Sequence, residues 1–453
     1  MKRYEAYRPT KYEWLTEVPT HWQTRTMRSL TTVSSERRGN REATLLSVYR
    51  EYGVIVKSSR DDNHNVESED LSNYKWVRTG DLVMNKMKMW QGSLGVSEFD
   101  GIVSPAYIVC HINDENVNRR YLHMLLRSPC YKTYYNQFSY GIRVGQWDMH
   151  YEDFKGLEVA LPPREEQDQI VRYLDWQVSK INRLIAAKRK QIALLHEQHK
   201  RRISEAVLHG IDDGCRQKDS SVEWIGMIPE HWHVIRCKHV FTERDERSIA
   251  GEEEHLSMSQ KYGLVPDSKL DERRMLSESY VGGKVCYKND LVLNRLKAHL
   301  GVFALSPQKG VISPDYTVLV PNNERILPTY GEAVLRSDLC RRELRIRVRG
   351  IIEGFWRLYT DDFNTIVIPL PPLKEQRQIM EYIGALDEKF TVLKQNLEKE
   401  IVVLHDLRTR LISDVVTGQV DVRGIEVPEY EHYDEAPENA TEESSDSDYD
   451  TEE

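Results

Sequence analysis

Two stretches that lie 209 residues apart set cations and amides beside aromatics, as nucleic-acid readers do. Lys86, Lys88 and Gln91, with Trp90 among them, face Arg295, Lys297 and His299 when the chain is laid on itself at that spacing. GIRVGQW at 141–147, with Arg143, Gln146 and Trp147, likewise faces GIIEGFW at 350–356, with Trp356 in frame and Arg357 directly after it. Arginine and lysine donate to guanine O6 and N7, glutamine can bond adenine through two hydrogen bonds, and all three can instead hold phosphates. A basic string, RRELRIRVRG at 341–350, suits a DNA backbone. Each such cation alone is often just a solvated charge, so the weight rests on recurrence in the same frame.

Catalytic constellations are nearly missing by comparison. GGK at 282–284 is followed by Val285 and lacks the upstream glycine of a phosphate loop. Both PP pairs are followed by Arg or Leu, not by the aromatic of an NPPY-type adenine-methylating motif. GxSxG, HExxH and spaced His and Cys clusters do not occur. HW at 21–22 and again at 231–232 reads either as a pair of metal or catalytic histidines or as a structural turn with a packed tryptophan; its repetition beside a proline favours the turn. The six cysteines are scattered, which predicts reduced thiols with neither a zinc site nor a disulfide framework.

The net charge of −9 hides an uneven distribution. Residues 426–453 hold thirteen Asp and Glu and no Lys or Arg, so residues 1–425 carry +4. The body is mildly basic, and the acidic tail has too little apolar content to fold, which predicts a disordered segment with a solubilising or regulatory role. No window approaches a membrane span, and the start MKRYEAYRPTKYEW lacks the apolar stretch of a signal peptide, so a soluble, intracellular and cytoplasmic protein is expected.

The elements that must position these residues are duplicated. LPPREEQDQIVRYL at 161–174 returns as LPPLKEQRQIMEYI at 370–383, WLTEVPTHW at 14–22 as WIGMIPEHW at 224–232, GDLVMNKMK at 80–88 as NDLVLNRLK at 289–297, and GIVSPAY at 101–107 as GVISPDY at 310–316. The offset is 210 in the second pair and 209 in the others, so one single-residue gap aligns most of the two halves. Short β-type runs such as DLVMN and GVISPDYTVLV, broken by Gly, Asn and Asp turns, predict a mixed α+β domain before each LPP. After each LPP a long helix follows, with prolines at its entry and glutamates in its first turn.

Ile383, Phe390, Leu397, Leu404 and Leu411 form one heptad seam of the second helix, and Ile379, Leu386 and Leu393 the other. In the first helix Leu174, Ile181 and Leu195 keep the frame, Lys188 and Arg202 interrupt it, and Ile170, Val178, Leu184 and Ile192 widen the stripe. Helices this long need an apolar partner. Pairing with each other within the chain is expected, in antiparallel fashion; a dimeric coiled coil is the alternative. The predicted fold is α+β: two mixed α/β domains at 1–160 and 213–369, separated by long helices at 161–212 and 370–425 packed as an antiparallel coiled coil, then the tail at 426–453.

Two variable domains, each followed by LPP, an E-Q-x-x-I helix start and a heptad helix, with the repeated EWxxxxPxHW entry, resemble the specificity subunit of type I restriction-modification systems. TGQVDVR at 417–423 resembles that family's C-terminal ending, and the resemblance covers roughly residues 5–423. It implies a non-catalytic protein whose target recognition domains each read one half of a bipartite, asymmetric double-stranded DNA site, with the helices as a ruler for the gap. It also implies partners: methyltransferase subunits, two of them, using S-adenosylmethionine to modify adenine N6, and a restriction and translocase subunit using ATP and Mg. Carried over onto this chain, the family's DNA contacts fall at Arg50, Lys86, Lys88, Arg143 and Gln146, and at Gln260, Lys261, Arg295, Lys297 and Arg357. Ile352 and Phe355 stand opposite Arg143 and Gln146, so the second loop lacks donors that the first has. The rival reading is a coiled-coil adaptor that binds only proteins.

Overall fold

The computed structural model describes residues 2–50, 52–59, 70–141, 147–212, 214–259, 262–269, 280–350 and 356–434. The chain divides into two units, one of Met1–Arg189 with Glu398–Glu453 and one of Lys190–Leu397. Each unit therefore owns the start of one long helix and the end of the other. The helices run Arg164–His209 and Leu373–Val416.

In the first unit a four-stranded antiparallel sheet has the order Thr31–Val33, Tyr107–Ile112, Leu82–Asn85, Leu94–Val96. The strand Leu82–Asn85 is buried throughout, because both faces of the sheet are covered. Successive side chains of a strand point to opposite faces. Leu82 and Met84 accordingly join the main core with Trp22, Tyr121 and the long helix, whereas Val83 joins a smaller core with Leu46, Val48 and Val54. In the second unit the sheet order is Phe241–Arg244, Tyr316–Pro321, Leu291–Asn294, Phe303–Leu305, with Leu291 and Leu293 on one core and Val292 on the other. The pairing register repeats as well: Tyr107 opposes Asn85 as Tyr316 opposes Asn294. The turns Lys57–Ser59 and Asp267–Lys269 keep the 210 offset and the strands Lys75–Val77 and Lys284–Cys286 the 209 offset, so the single-residue gap falls between them.

The recurring signatures meet at the helix starts. Trp22 Nε1–H donates to Glu166 Oε1 (3.0 Å), Tyr4 donates to the same oxygen (2.7 Å), and His21 Nε2 lies 2.8 Å from Oε2. Trp232 Nε1–H donates to Glu375 Oε1 (3.0 Å), and His231 Nε2 lies 2.7 Å from Oε2. The HW pair is thus a structural clamp on the helix-start glutamate, with both indoles buried. The neighbouring glutamines finish the junction. Gln167 accepts from Asn118 N–H (2.8 Å) and donates to Pro162 O (2.9 Å); Gln376 accepts from Leu327 N–H (2.8 Å) and donates to Pro371 O (2.8 Å). Each helix end docks on a buried tyrosine too: Tyr121 donates to Val416 O (2.9 Å) and Tyr330 to Val207 O (2.9 Å).

Glu166→Ala removes the acceptor and strands two buried donors. Hydrogen bonds to charged groups contribute about 1.5–3 kcal/mol each, so a loss of roughly 2–4 kcal/mol is expected. Urea unfolding of the purified variant checks it; an unchanged midpoint would show that the clamp contributes little.

Within each unit the two helices pair antiparallel. In the first, Arg408 Nη1 donates to Asn182 Oδ1 (2.8 Å) and Lys188 Nζ pairs with Glu400 Oε2 (2.6 Å). In the second, His199 stacks on Phe390 (4.3 Å) and its Nε2 lies 2.8 Å from Asp387. The partner is in cis, as expected. Lys188, which interrupts the apolar stripe, makes a cross-helix ion pair instead. Two stripe assignments are corrected: Leu184 and Leu393, equivalent in frame, are 52% and 40% exposed, and Ile185 is buried in place of Leu184. The α-helical repeat of 3.6 drifts against a strict heptad, which carries the inward seam one position on.

The segment expected to be disordered from 426 opens with nine described residues that are tied to the first helix. Tyr433 N–H donates to Ser179 Oγ (2.9 Å), and Asn182 Nδ2 donates to Tyr433 O (3.3 Å). Residues 435–453 lie outside the described residues.

Candidate nucleic-acid interface

In the first unit the buried strand Leu82–Asn85 delivers a 3-10 turn, Lys86–Gln91, at its end. Met89 anchors the turn in the core, and Gly92, at φ 89°, ends it in a conformation that disfavours side chains. Lys88 is left exposed, and Lys86 and Gln91 are half-buried. A second loop is stitched to this turn. Met149 N–H donates to Lys86 O (3.0 Å), Lys86 Nζ lies 3.3 Å from Asp148, and Trp147 meets Trp90 edge to face at 5.3 Å. Tyr140 and Asp148 exchange backbone hydrogen bonds (3.1 and 3.0 Å), and Arg143 and Gln146 fall between them in sequence. Those two residues lie outside the described residues, as do Gln260 and Lys261. Asn85 Oδ1 and Trp90 Nε1 are buried polar atoms with no hydrogen-bond partner among the described residues.

The second unit repeats the scaffold with other side chains. Leu358 N–H donates to Arg295 O (3.0 Å), and Arg349 and Arg357 exchange backbone hydrogen bonds (2.9 and 2.8 Å). Lys297 is half-buried and precedes the turn Ala298–Leu300, whose backbone includes His299. The side chain of Arg357 is exposed. Arg295 is half-buried and donates to Asp315 O (2.6 Å), so part of its guanidinium serves its own loop. The basic string is similarly engaged: Arg341 donates to Leu300 O (2.9 Å), Arg347 pairs with Glu343, and Arg349 with Asp362. Arg342 and Arg345 are exposed, as is Arg349 beside Asp362. Arg50 is exposed on a different turn, where its carbonyl accepts from Arg127 (2.8 Å).

Sequence reasoning missed Lys75. Burial, with the charges of Arg37 and Lys86 nearby, pushes its ammonium below the ordinary value, which marks a cluster of like charge beside the Lys86 turn. Its counterpart Lys284 instead has Glu243 at 3.2 Å and Asp245 at 3.4 Å. Val33 and Ser35 occupy the positions of those acids in the first unit. In the first unit Lys75 donates to Tyr107 O and Lys86 is held by Asp148, so the two clusters are furnished with different charges. No partner was visible for Lys75 in the sequence because the charges that act on it are far apart along the chain.

Residues 229–402 match the family model for the type I restriction modification DNA specificity domain. The chain is 23% identical over 382 residues to a protein of Methanocaldococcus jannaschii named "Putative type I restriction enzyme MjaX specificity subunit", covering 79% of this chain and 82% of that one. It is 24% identical over 285 residues to the MjaVIII specificity subunit of the same organism, covering 60% of this chain and 64% of that one. A chain from a solved structure concerned with complex assembly and conformational transition of the type I R-M system shares the fold, with a TM-score of 0.53, 18% identity, and coverage of 89% of this chain and 99% of that chain.

Proposed function

We propose that the chain is a specificity subunit of a type I restriction-modification system and that its two units read the two unlike halves of one bipartite DNA site, a reading supported by the family-model match and by the similar specificity subunits. The observation that carries this reading is the pair of frame-equivalent clusters, Lys86–Gln91 with the Tyr140–Asp148 pair and 295–300 with the Arg349–Arg357 pair, joined by equivalent backbone bonds and furnished with different side chains. A duplicated frame supplies the same docking geometry twice. Unlike side chains then make the site asymmetric, with Lys86, Lys88, Gln91, Arg143 and Gln146 serving one half and Arg295, Lys297, His299 and Arg357 the other. Arg50, Gln260 and Lys261 complete the set. The turn at Lys86 with Lys75 holds the backbone of its half-site by charge, and the second unit relies more on base edges.

The chain is non-catalytic. Methylation of adenine N6 belongs to two methyltransferase subunits with S-adenosylmethionine, and cleavage to restriction subunits with ATP and Mg. The paired helices dock these partners and fix the gap between half-sites. No described helix is long and apolar enough to cross a membrane, and the proposed place of work is the cytoplasm.

DNA binding by the complex with its methyltransferase subunits is expected to weaken by roughly 10³-fold or more between about 50 and 200 mM salt, as six or more phosphate contacts require. Fluorescence anisotropy on a duplex measures it. A complex that ignores DNA at both salts would favour the protein-only adaptor.

A further inference from the structure

The long helices repeat in frame, so a residue on the first has its counterpart 209 positions later on the second. One face is treated unequally in the two copies. In the first unit, the chain beyond the second helix turns back along the first. Gln169 Nε2 donates to Val422 O (3.2 Å) and Ile425 O (2.6 Å), and Ile425 and Val427 pack on the core that includes Tyr173. Ser179 and Asn182 then hold Tyr433, and Arg183 pairs with Glu431 at 3.1 Å. Under this strap Tyr173 is 4% exposed, Ser179 2% and Asn182 5%.

The counterparts on the second helix are bare. Tyr382 is 37% exposed, Glu388 and Thr391 are exposed, and Val392, in place of Arg183, is 56% exposed. Another copy of the strap does not fit there, because the amide of Asn182 and the guanidinium of Arg183 are gone and Glu388 would confront the acidic strap. The first unit shows what kind of chain this face accepts: an extended segment that buries apolar side chains against the helix. The exposed Glu381 and Glu388 add a preference for a basic residue.

We propose that the bare face around Tyr382 and Val392 takes an extended, apolar and basic segment of a methyltransferase subunit, and that residues 421–434 are a strap occupying the equivalent face of the first unit. The two partner positions are then unequal. The first subunit docks on the second unit directly, and the second subunit docks only as the strap lifts. This inference rests on the reading that methyltransferase subunits dock on the helices.

The test titrates the full chain with purified methyltransferase subunit and reads both dissociation constants by native mass spectrometry. The full chain is expected to bind the first subunit roughly tenfold more tightly than the second. A chain ending at Val427 should tighten the second step about fivefold and leave the first unchanged, whereas Val392→Glu, at an exposed position, should weaken the first roughly tenfold. Equal steps in the full chain, a second step indifferent to truncation, or a first step indifferent to Val392→Glu would each overturn the inference and leave docking on the helices standing. Absence of any complex would overturn both.

Discussion

Alanine at both Lys86 and Lys88 weakens binding to one half-site by about 2 kcal/mol, roughly 30-fold, and leaves the base preference of the other half unchanged. The turn that carries these lysines is anchored by Met89 and by the Met149–Lys86 backbone bond, neither of which depends on the ammonium groups. The scaffold therefore survives the change, and what is lost is the charge. Lys86 is already shared with Asp148, so Lys88 carries the larger part. Lys75 remains, which keeps the loss short of complete. Selection of bound sequences from a randomised duplex gives the outcome; equal relaxation of both halves would contradict independent reading by the two units.

Matched insertions of four residues after Ala187 and after Glu400 lengthen the gap in the recognised sequence by about two base pairs while keeping both half-sequences. Four helical residues add about 6 Å, and a base pair rises about 3.4 Å. Insertion on both strands of the coil preserves the antiparallel pairs, Asn182 with Arg408 on one side and His199 with Asp387 on the other, and places new turns between them. Four residues also turn the apolar stripe by only about 40° beyond a full turn, which a two-helix coil absorbs as a local unwinding. Methylation of the original target should disappear. Modification at the original gap length would remove the ruler role.

What was legible in the sequence was whatever repeats locally. The LPP entries, the helix starts and the buried strands DLVMN and DLVLN are short blocks in which composition and order suffice, and the sheet register follows the same offset. The repeated HW was legible as a packed turn but its partner was not. Glu166 lies 144 residues from Trp22, and a glutamate in a first helical turn has an adequate local explanation in the helix dipole. Gln167 and Gln376 escaped notice for the same reason: their bonds go to backbone atoms of a distant loop, which leave no trace in residue type.

The candidate interface was legible in outline only. Lysines and tryptophans in frame marked the turn and loop that the structure joins through Lys86 and Met149. The partners of Arg295 and Arg349 could not be read from residue type, because Asp315 and Asp362 lie elsewhere along the chain, whereas Glu343, which pairs with Arg347, stands inside the basic string itself. The stripe failed at Leu184 and Leu393 because a heptad count and a real helix diverge by about 20° per seven residues. The ordered start of the acidic tail was hidden as well. Its charge predicts disorder, yet Tyr433 and Glu431 find donors on the first helix that only the folded chain brings near.

The most direct measurement expresses the chain with its methyltransferase subunit in a host free of adenine methylation and maps modified adenines across the genome by single-molecule sequencing. The account predicts one split motif, with two unlike halves, a fixed gap and one modified adenine in each half. A continuous or palindromic motif would contradict reading by two different units, and a stable complex that leaves the genome unmodified would contradict the role in DNA recognition.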